Sequence, residues 1–246
     1  MPQISYQLYC SRGFPPLKDT LMMLSDIGYR EVEGFGGLLD DIDGLKADLD
    51  RAGLKMTSCH IGLDQVQSGA GLKIAHALGL EAVFVPFLQP NERPKDAKGW
   101  AAFGQTLAEA GKPLMDAGIA FGWHNHDFEC VVTDSGEMPL DLIVAASDDM
   151  RHELDIGWVA RAGHDPAAWV NKYAGRIASA HIKDIAPSGE CADEDGWADV
   201  GHGTLDWPAI HAALQAAGVA RYVVEHDNPS DHQRFASRSF ATISKF

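Results

Sequence analysis

The sequence predicts an α/β fold, a (β/α)8 TIM barrel that takes residues 1–246 as a single domain. Three observations predict it. Short β-type runs alternate with amphipathic helical patterns from end to end, with no linker or low-complexity tract between them. The alternation makes eight strand–helix units, the number that a closed barrel of ~250 residues uses. The helices stop repeatedly at a glycine followed by a short apolar run, the punctuation of a left-handed C-cap feeding the next strand. A doubly wound open sheet competes. It would carry a phosphate turn after an early strand, and Gly34-Phe35-Gly36-Gly37 does not match GxGxxG.

In order, residues 4–9 read as the first strand, and 16–27 as a helix with Leu21, Leu24 and Ile27 on one face. Residues 30–35 are the second strand and 43–52 the next helix, stopped by Gly53. The third strand, 56–61, precedes a helix over 71–78 that ends at Gly79. The continuous apolar run AVFVPF (82–87) is a buried fourth strand, followed by the long amphipathic stretch 97–117 and Gly118. A strand at 119–126, a helix near 139–146 and a strand at 151–156 come next. Residues 166–174 carry proline at an early helical position and Gly175 beyond the end. The seventh strand, 177–184, opens into a polar loop. Residues 207–217 are a helix ended by Gly218, and 222–226 with 231–244 form the last unit.

An apolar share of 46% with 22% charged residues excludes general disorder. Twenty basic against 35 acidic side chains, formally −15, argues against nucleic acid and anionic membrane surfaces as partners, since both need a basic footprint. A phosphorylated small substrate stays compatible, because a local basic pocket can sit in an acidic surface. The dispersed cysteines Cys10, Cys59, Cys130 and Cys191 form no CxxC pair, which excludes a zinc ribbon and argues against a disulfide framework. The opening MPQISYQLYCSRGF has no basic stretch followed by an apolar one, and no apolar run reaches the ~20 residues of a bilayer span. The expectation is a soluble cytoplasmic protein without a signal peptide, and a homo-oligomer built through the outer helices is compatible with it.

Barrel chemistry sits at the C-terminal ends of the strands. Those positions return Glu33, His60, His124-Asn125-His126, Asp155, His181, Lys183-Asp184 and Glu225-His226-Asp227, while the fourth strand offers only Pro86-Phe87 as pocket wall. A carboxylate or imidazole in an otherwise apolar strand costs several kcal/mol unless it is paired or metal-bound. Asp155 in HELDIG, His181 in IASAHIKD and Glu225 in YVVEHD each stand in such a strand. Singly, each reads better as a satisfied structural residue; together at one rim they favour a divalent ion, Mn2+, Co2+, Zn2+ or Mg2+. His76, His152, His164, His211 and His232 fall outside that rim and read as structural.

The strings GLKMTSCHIGL (53–63), GWHNHDFE (122–129), ELDIGWVARAGHDP (153–166), AHIKDI (180–185), VGHGTLDWPAI (200–210) and VVEHDNP (223–229) resemble the xylose-isomerase-like barrel superfamily, and within it the sugar phosphate isomerase/epimerase branch. The resemblance implies one divalent metal on four strand-end ligands, with Asp155, His181 and Glu225 at the positions of strands six to eight. The usual fourth ligand is a glutamate on strand five, and this chain departs from that. His124 and His126 alternate onto the same inward side there. His124 is taken as the ligand and His126 as a catalytic or substrate contact, with Glu129 a third candidate further into the loop.

The resemblance further implies proton removal beside a carbonyl, a metal-bound enediolate and, in epimerases, two glutamates on opposite faces. Glu225 fills one role here, and the second falls to His60, His126, His202 or Glu33. The substrate is then a sugar, keto-sugar or sugar phosphate. A His-rich fifth strand is similar to the inosose dehydratase pattern, so a carbon–oxygen lyase is the alternative and a non-catalytic sugar-binding barrel the second. A phosphodiester-cleaving endonuclease also occurs in the superfamily, but the charge of −15 opposes it. Lys183 either balances a substrate oxyanion or phosphate, or pairs with Asp184 or Asp155. Trp123, Trp158 and Trp197 are candidates to floor a sugar pocket, whereas Trp169 and Trp207 read as helix packing. The acidic loop 186–203 reads either as a lid or as plain surface, and Gly201 and Gly203 would aim His202 inward.

Overall fold

The computed structural model describes residues 2–246. Its barrel strands are β1 (Gln3–Gln7), β2 (Glu31–Phe35), β3 (Lys55–His60), β4 (Ala82–Val85), β5 (Ala120–His124), β6 (Arg151–Asp155), β7 (Ile177–Ile182) and, after a short antiparallel ribbon of β8 (Asp184–Ile185) and β9 (Trp197–Ala198), β10 (Arg221–Val224). They close in the order β1-β10-β7-β6-β5-β4-β3-β2, all parallel. The crossovers are α1 (Leu17–Ile27), α2 (Ile42–Ala52), α3 (Leu63–Gln67) with α4 (Ala70–Leu78), α5 (Ala97–Asp116), α6 (Pro139–Val144), α7 (Ile156–Arg161) with α8 (Pro166–Lys172), α9 (Trp207–Ala216) and α10 (His232–Ile243). The predicted barrel is therefore the observed one. Among the described residues, no helix is long and apolar enough to cross a membrane.

Each strand has two unlike faces. Outward residues such as Val32, Val83, Phe121, Leu154, Ala180 and Val224 are fully buried under the helices and form one continuous apolar core. Inward residues are largely polar: Ser5, Gln7, Glu33, Ser58, Glu153, Ser179 and His181 have no exposed surface at all. The parallel register then stacks these groups by height. Gln7 pairs Glu33, Glu33 pairs Ser58, His124 pairs Glu153, and Asp155 pairs His181.

The helices begin where the sequence offers an aspartate. Asp41, Asp96, Asp165, Asp206 and Asp231 each accept a backbone N–H of the first turn, the N-cap arrangement that satisfies an orphan donor. The sequence did not foreshadow α3 or the β8–β9 ribbon, and two further unexpected elements follow from single side chains. Residues 8–11 turn off β1 as a 3-10 helix, because the Gln7 side chain accepts the Tyr9 amide at 3.0 Å. Helix α7 starts straight from the end of β6, because Asp155 accepts the Trp158 amide at 2.8 Å. Its six residues are too few to show a helical period.

The loop 186–203 is anchored surface rather than a free flap. Asp184 accepts the amides of Gly201, Gly203 and Leu205 and the Trp207 indole. Arg234 grips Glu194 at 2.8 Å and Asp199 at 3.2 Å, and Arg238 holds Asp199 at 2.8 Å. The C-terminal helix closes the barrel: Phe235 meets Tyr6 and Phe240 meets Tyr29, with ring centroids 5.9 and 4.7 Å apart. Trp169 and Trp207 are buried core residues, as expected.

Helix α5 reaches the sheet through a glycine. A Cβ on Gly111 would lie 1.9 Å from the Phe121 ring, inside any real contact distance. Gly111→Ala is expected to destabilise the fold by about 1–3 kcal/mol through overpacking. A lower urea midpoint at unchanged slope would bear this out, and an unchanged midpoint would refute it.

Candidate active site

The lower part of the barrel interior is a closed polar layer. Glu33 accepts from Gln7 Nε2 at 2.8 Å, Ser58 Oγ at 2.5 Å and His181 Nε2 at 2.7 Å. Glu153 Oε1 accepts from Ser179 Oγ at 2.6 Å. Its Oε2 stands 2.6, 3.1 and 3.2 Å from nitrogens of His60, His181 and His124. Burial, then the charge of Glu153, pushes the Glu33 carboxyl up, against the pull of His60 and His181. Burial also raises Glu153, but His181 and His60 outweigh it and hold Glu153 well below the ordinary carboxylate range. His60 is the converse: burial lowers it, Glu33 and Glu153 outweigh burial, and it ends above an ordinary imidazole.

Directly above lies the strand-end group. One ligand-type atom from each of His124, Asp155, His181 and Glu225 falls within 4.8 Å of the others, and all four residues are buried. His181 bridges the two layers, with Nδ1 at 2.8 Å from Glu225 Oε2 and Nε2 at 2.7 Å from Glu33. Two buried atoms in the group have no hydrogen-bond partner: His124 Nδ1, which approaches Glu153 at 3.2 Å without hydrogen-bond geometry, and Asp155 Oδ2. Such orphans are costly unless something occupies the space between them. Burial, helped by Glu225 and opposed by Lys183, pushes Asp155 up to about 8. Burial and the neighbouring His181 drop His124 to about 3, so it stands as a neutral imidazole with a free lone pair.

Charge bookkeeping points the same way. Glu33, Glu153, Asp155, Glu225 and Asp227 bring five carboxylates against the one ammonium of Lys183. Counted as fully ionised, these carboxylates outnumber the cations around them even with His60 protonated, a surplus that a dication would offset. The residues therefore fit a divalent metal on a mixed nitrogen and oxygen donor set.

This group opens into a cleft of about 690 Å3, walled by Tyr9, Phe35, Phe87, Phe128 and Trp158, with His60, His126 and Glu225 facing it. His126 lies edge-on to Phe87 and beside Trp158, with centroids 5.1 and 5.2 Å away, and burial holds it well below an ordinary imidazole. His60, His126, Trp158 and Pro86-Phe87 thus sit where the sequence placed them.

Other expectations are corrected. Glu33 lies under His181 with no exposure, so it cannot reach a substrate. Trp123 alternates outward from His124, packs on Phe103 and donates its indole N–H to Glu129 at 2.7 Å; it walls no pocket. Glu129 is spent on that bond and on the His126 amide at 2.9 Å, outside the metal-capable group. His202 is exposed and contacts Arg238 at 2.7 Å, away from the cleft, because the Asp184 network turns its backbone outward. Lys183 is fully buried; its Nζ lies 2.7 Å from Asp227, 3.4 Å from Glu225 and 3.8 Å from Asp155, so of the two expected carboxylate partners it meets Asp155 and not Asp184, and Asp227 neutralises it more closely than either. Trp197 packs edge-on against Trp158 beneath the cleft surface. Lys183 is also not the only cation at the rim, since Arg12 and Arg93 enter the cleft from loops.

The residue most plainly missed is Glu153. The signal was present, because alternation through HELD puts Glu153 on the same face as Asp155. Arg12, Arg93 and Phe128 lie on irregular loops, where no period assigns a direction.

The family model described as the xylose isomerase-like TIM barrel matches residues 22–241, and the chain belongs to that family. Among curated proteins, an inosose dehydratase of Clostridium beijerinckii is 31% identical over 88 residues. That match takes in 35% of this chain and spans 28% of the length of that relative. Among solved structures, a sugar phosphate isomerase/epimerase from Parabacteroides distasonis superposes with TM-score 0.83 at 21% identity, over 98% of this chain and 93% of that one. An IOLI protein with a bound zinc atom superposes with TM-score 0.76 at 18% identity, over 100% and 96%. Both show the shared fold.

Asp155 yields a pH signature in chelator-treated protein. Its folded value of about 8 lies above the unfolded 3.8, so the folded chain binds the extra proton and loses stability as pH rises across that window. Melting temperatures should therefore fall more steeply from pH 5 to pH 8 in wild type than in Asp155→Asn. Parallel profiles would sink this assignment.

Proposed function

We propose that this xylose isomerase-like barrel is a divalent-metal-dependent isomerase or epimerase of a sugar, keto-sugar or sugar phosphate, working by removal of the proton beside a carbonyl. The observation that carries the reading is the buried group of His124, Asp155, His181 and Glu225 at the base of an aromatic cleft, two of whose members hold an atom without a hydrogen-bond partner. His124, Asp155, His181 and Glu225 would hold the ion, Mn2+, Co2+, Zn2+ or Mg2+. Bound there, the ion supplies Lewis-acid polarisation of a carbonyl and orients its neighbouring hydroxyl.

The remaining work belongs to the chain. Glu225 is the strand-end carboxylate that faces the cleft, and it stays ionised: burial raises it, but Lys183 and His181 outweigh burial and hold it well below the ordinary range. Its contacts at 2.8 and 3.4 Å both run through Oε2, which leaves Oε1 to take the substrate proton. A base of such low basicity needs an acidified carbon, which makes polarisation of the carbonyl indispensable. Trp158, Phe87 and Phe128 exclude water and take the C–H faces of a sugar. His126, neutral under burial, orients a hydroxyl. His60, kept basic by Glu33 and Glu153, is the proton donor on the facing wall.

An aldose–ketose isomerisation needs one base, because the proton leaves and returns on one face. Epimerisation needs a donor on the opposite face, and with Glu33 buried that donor is His60. The same arrangement favours a second reading, a carbon–oxygen lyase, in which His60 protonates a departing hydroxyl. This reading is supported by the cleft acids among the described residues, since apart from Glu225 these are Asp127 and Asp227, and both come from loops rather than from a strand end.

Plasma mass spectrometry on protein purified without added metal is expected to find near-stoichiometric divalent metal, lost in His124→Ala and in Glu225→Gln. Wild type that stays metal-free after soaking in Mn2+, Co2+ and Zn2+ would overturn the proposal. Proton NMR in D2O with keto-sugars separates the two readings: deuterium beside the carbonyl with all hydroxyls retained means isomerisation or epimerisation, and a new alkene signal means elimination. Glu33→Gln, which replaces the charged acceptor orienting His181 with a neutral amide, should weaken metal affinity about 10–100-fold. An unchanged affinity in competition with a chelating dye would show that Glu33 does not orient His181.

A further inference from the structure

We infer that the substrate carries a negatively charged group, a carboxylate or a phosphate, and that Arg93 is the residue that receives it. The assignment rests on the cleft being the substrate site. Arg93 follows β4 and lines the cleft, half-buried between aromatic rings. Its guanidinium carbon sits 3.5 Å from the Phe128 ring centre and 5.2 Å from that of Phe87. Its only protein hydrogen bond among the described residues runs from Nε to the Leu88 carbonyl, at 3.1 Å. Both terminal nitrogens are left without a protein acceptor.

Among the described residues, Arg161 also stacks on aromatic rings without an ion pair, but its Nη2 donates to the Asp195 carbonyl at 2.8 Å and it does not line the cleft. Arg93 lines the cleft with both terminal nitrogens uncommitted among those residues. Acidic residues outnumber basic ones by 35 to 20. Arg221 and Arg234, which are also covered at least in part, each carry a carboxylate partner. Arg93 forms no ion pair among the described residues, although Asp127 lines the same cleft. Of the other cations at the site, Lys183 is neutralised by Asp227 at 2.7 Å. Arg12 is exposed, lies over Tyr9, and spends Nη1 on the carbonyls of Tyr9 and Asp227 at 2.9 and 2.5 Å. Arg93 alone offers a planar fork that is held from behind by aromatic faces, is tethered through Nε and is open at both ends. That is the arrangement which takes a carboxylate or phosphate with two parallel hydrogen bonds. The aromatic stack removes competing water and fixes the plane in advance, so little ordering remains for binding.

Titration calorimetry of wild type and Arg93→Gln with D-fructose, 5-keto-D-gluconate and D-fructose 6-phosphate tests this. Wild type is expected to bind one of the anionic probes at least about tenfold more tightly than D-fructose, the scale of a charge-assisted pair. Arg93→Gln should abolish that ratio, and Arg93→Lys should keep part of it, which a merely structural role would not predict. Preference for the keto acid assigns a carboxylate, and preference for the sugar phosphate assigns a phosphate. If neither anion binds better than D-fructose, or if Arg93→Gln keeps the preference, the inference is overturned. Metal content measured on the same samples separates the two ideas. Metal-free protein with an Arg93-dependent preference sinks the proposed reaction alone, and metal-loaded protein with no preference sinks this inference alone.

Discussion

A single imidazole, that of His181, joins two tiers of buried carboxylates, and the organisation of the barrel interior follows from it. On one side it meets Glu225, on the other Glu33, at 2.8 and 2.7 Å. Neither carboxylate could be tolerated there alone, because an unpaired buried charge costs several kcal/mol. The lower tier therefore needs Gln7, Ser58 and Ser179 as donors, and the upper tier needs Lys183. A barrel interior is ordinarily filled with branched apolar side chains. Here the apolar packing is moved to the outer face of the strands, and the lumen is given over to a polar network whose members are mostly satisfied. The exceptions include Ser5 Oγ on β1 and, within the metal-capable group, His124 Nδ1 and Asp155 Oδ2.

Much of this was legible in the sequence because strand alternation is a strict rule. Once a strand end is located, every second residue behind it faces the lumen. That rule places His124, Asp155, His181 and Glu225 at one rim, and the structure brings those four residues together. The same rule covers Glu153 and would have placed it inside the barrel, had it been followed two residues back from Asp155. It also explains the error over Trp123, which neighbours an inward residue and must face outward. Glu33 was located on the right face but at the wrong height. Whether an inward side chain reaches substrate depends on how far below the rim it starts, and register across strands decides that.

What the sequence could not convey belongs to the loops. His202 sits between glycines in a segment whose path is dictated by Asp184, which gathers three amides and an indole from residues some 17–23 positions away. No local pattern announces such a hub. The acidic stretch beyond it reads as a lid because it is long and charged, yet Arg234 and Arg238 from the last helix tie its carboxylates down. Arg12 and Arg93 were invisible for a related reason: an arginine in a turn reads as solvated surface until its neighbours are known.

Asp155 does two things with one carboxylate. Oδ1 starts helix α7 by accepting the Trp158 amide, and Oδ2 points at the upper tier. The side chain of that same Trp158 walls the cleft. The tryptophan of the cleft wall and the aspartate of the metal-capable group are thus joined through the first turn of a six-residue helix. One hydrogen bond therefore sets both where the aromatic wall stands and which oxygen of Asp155 is left uncommitted.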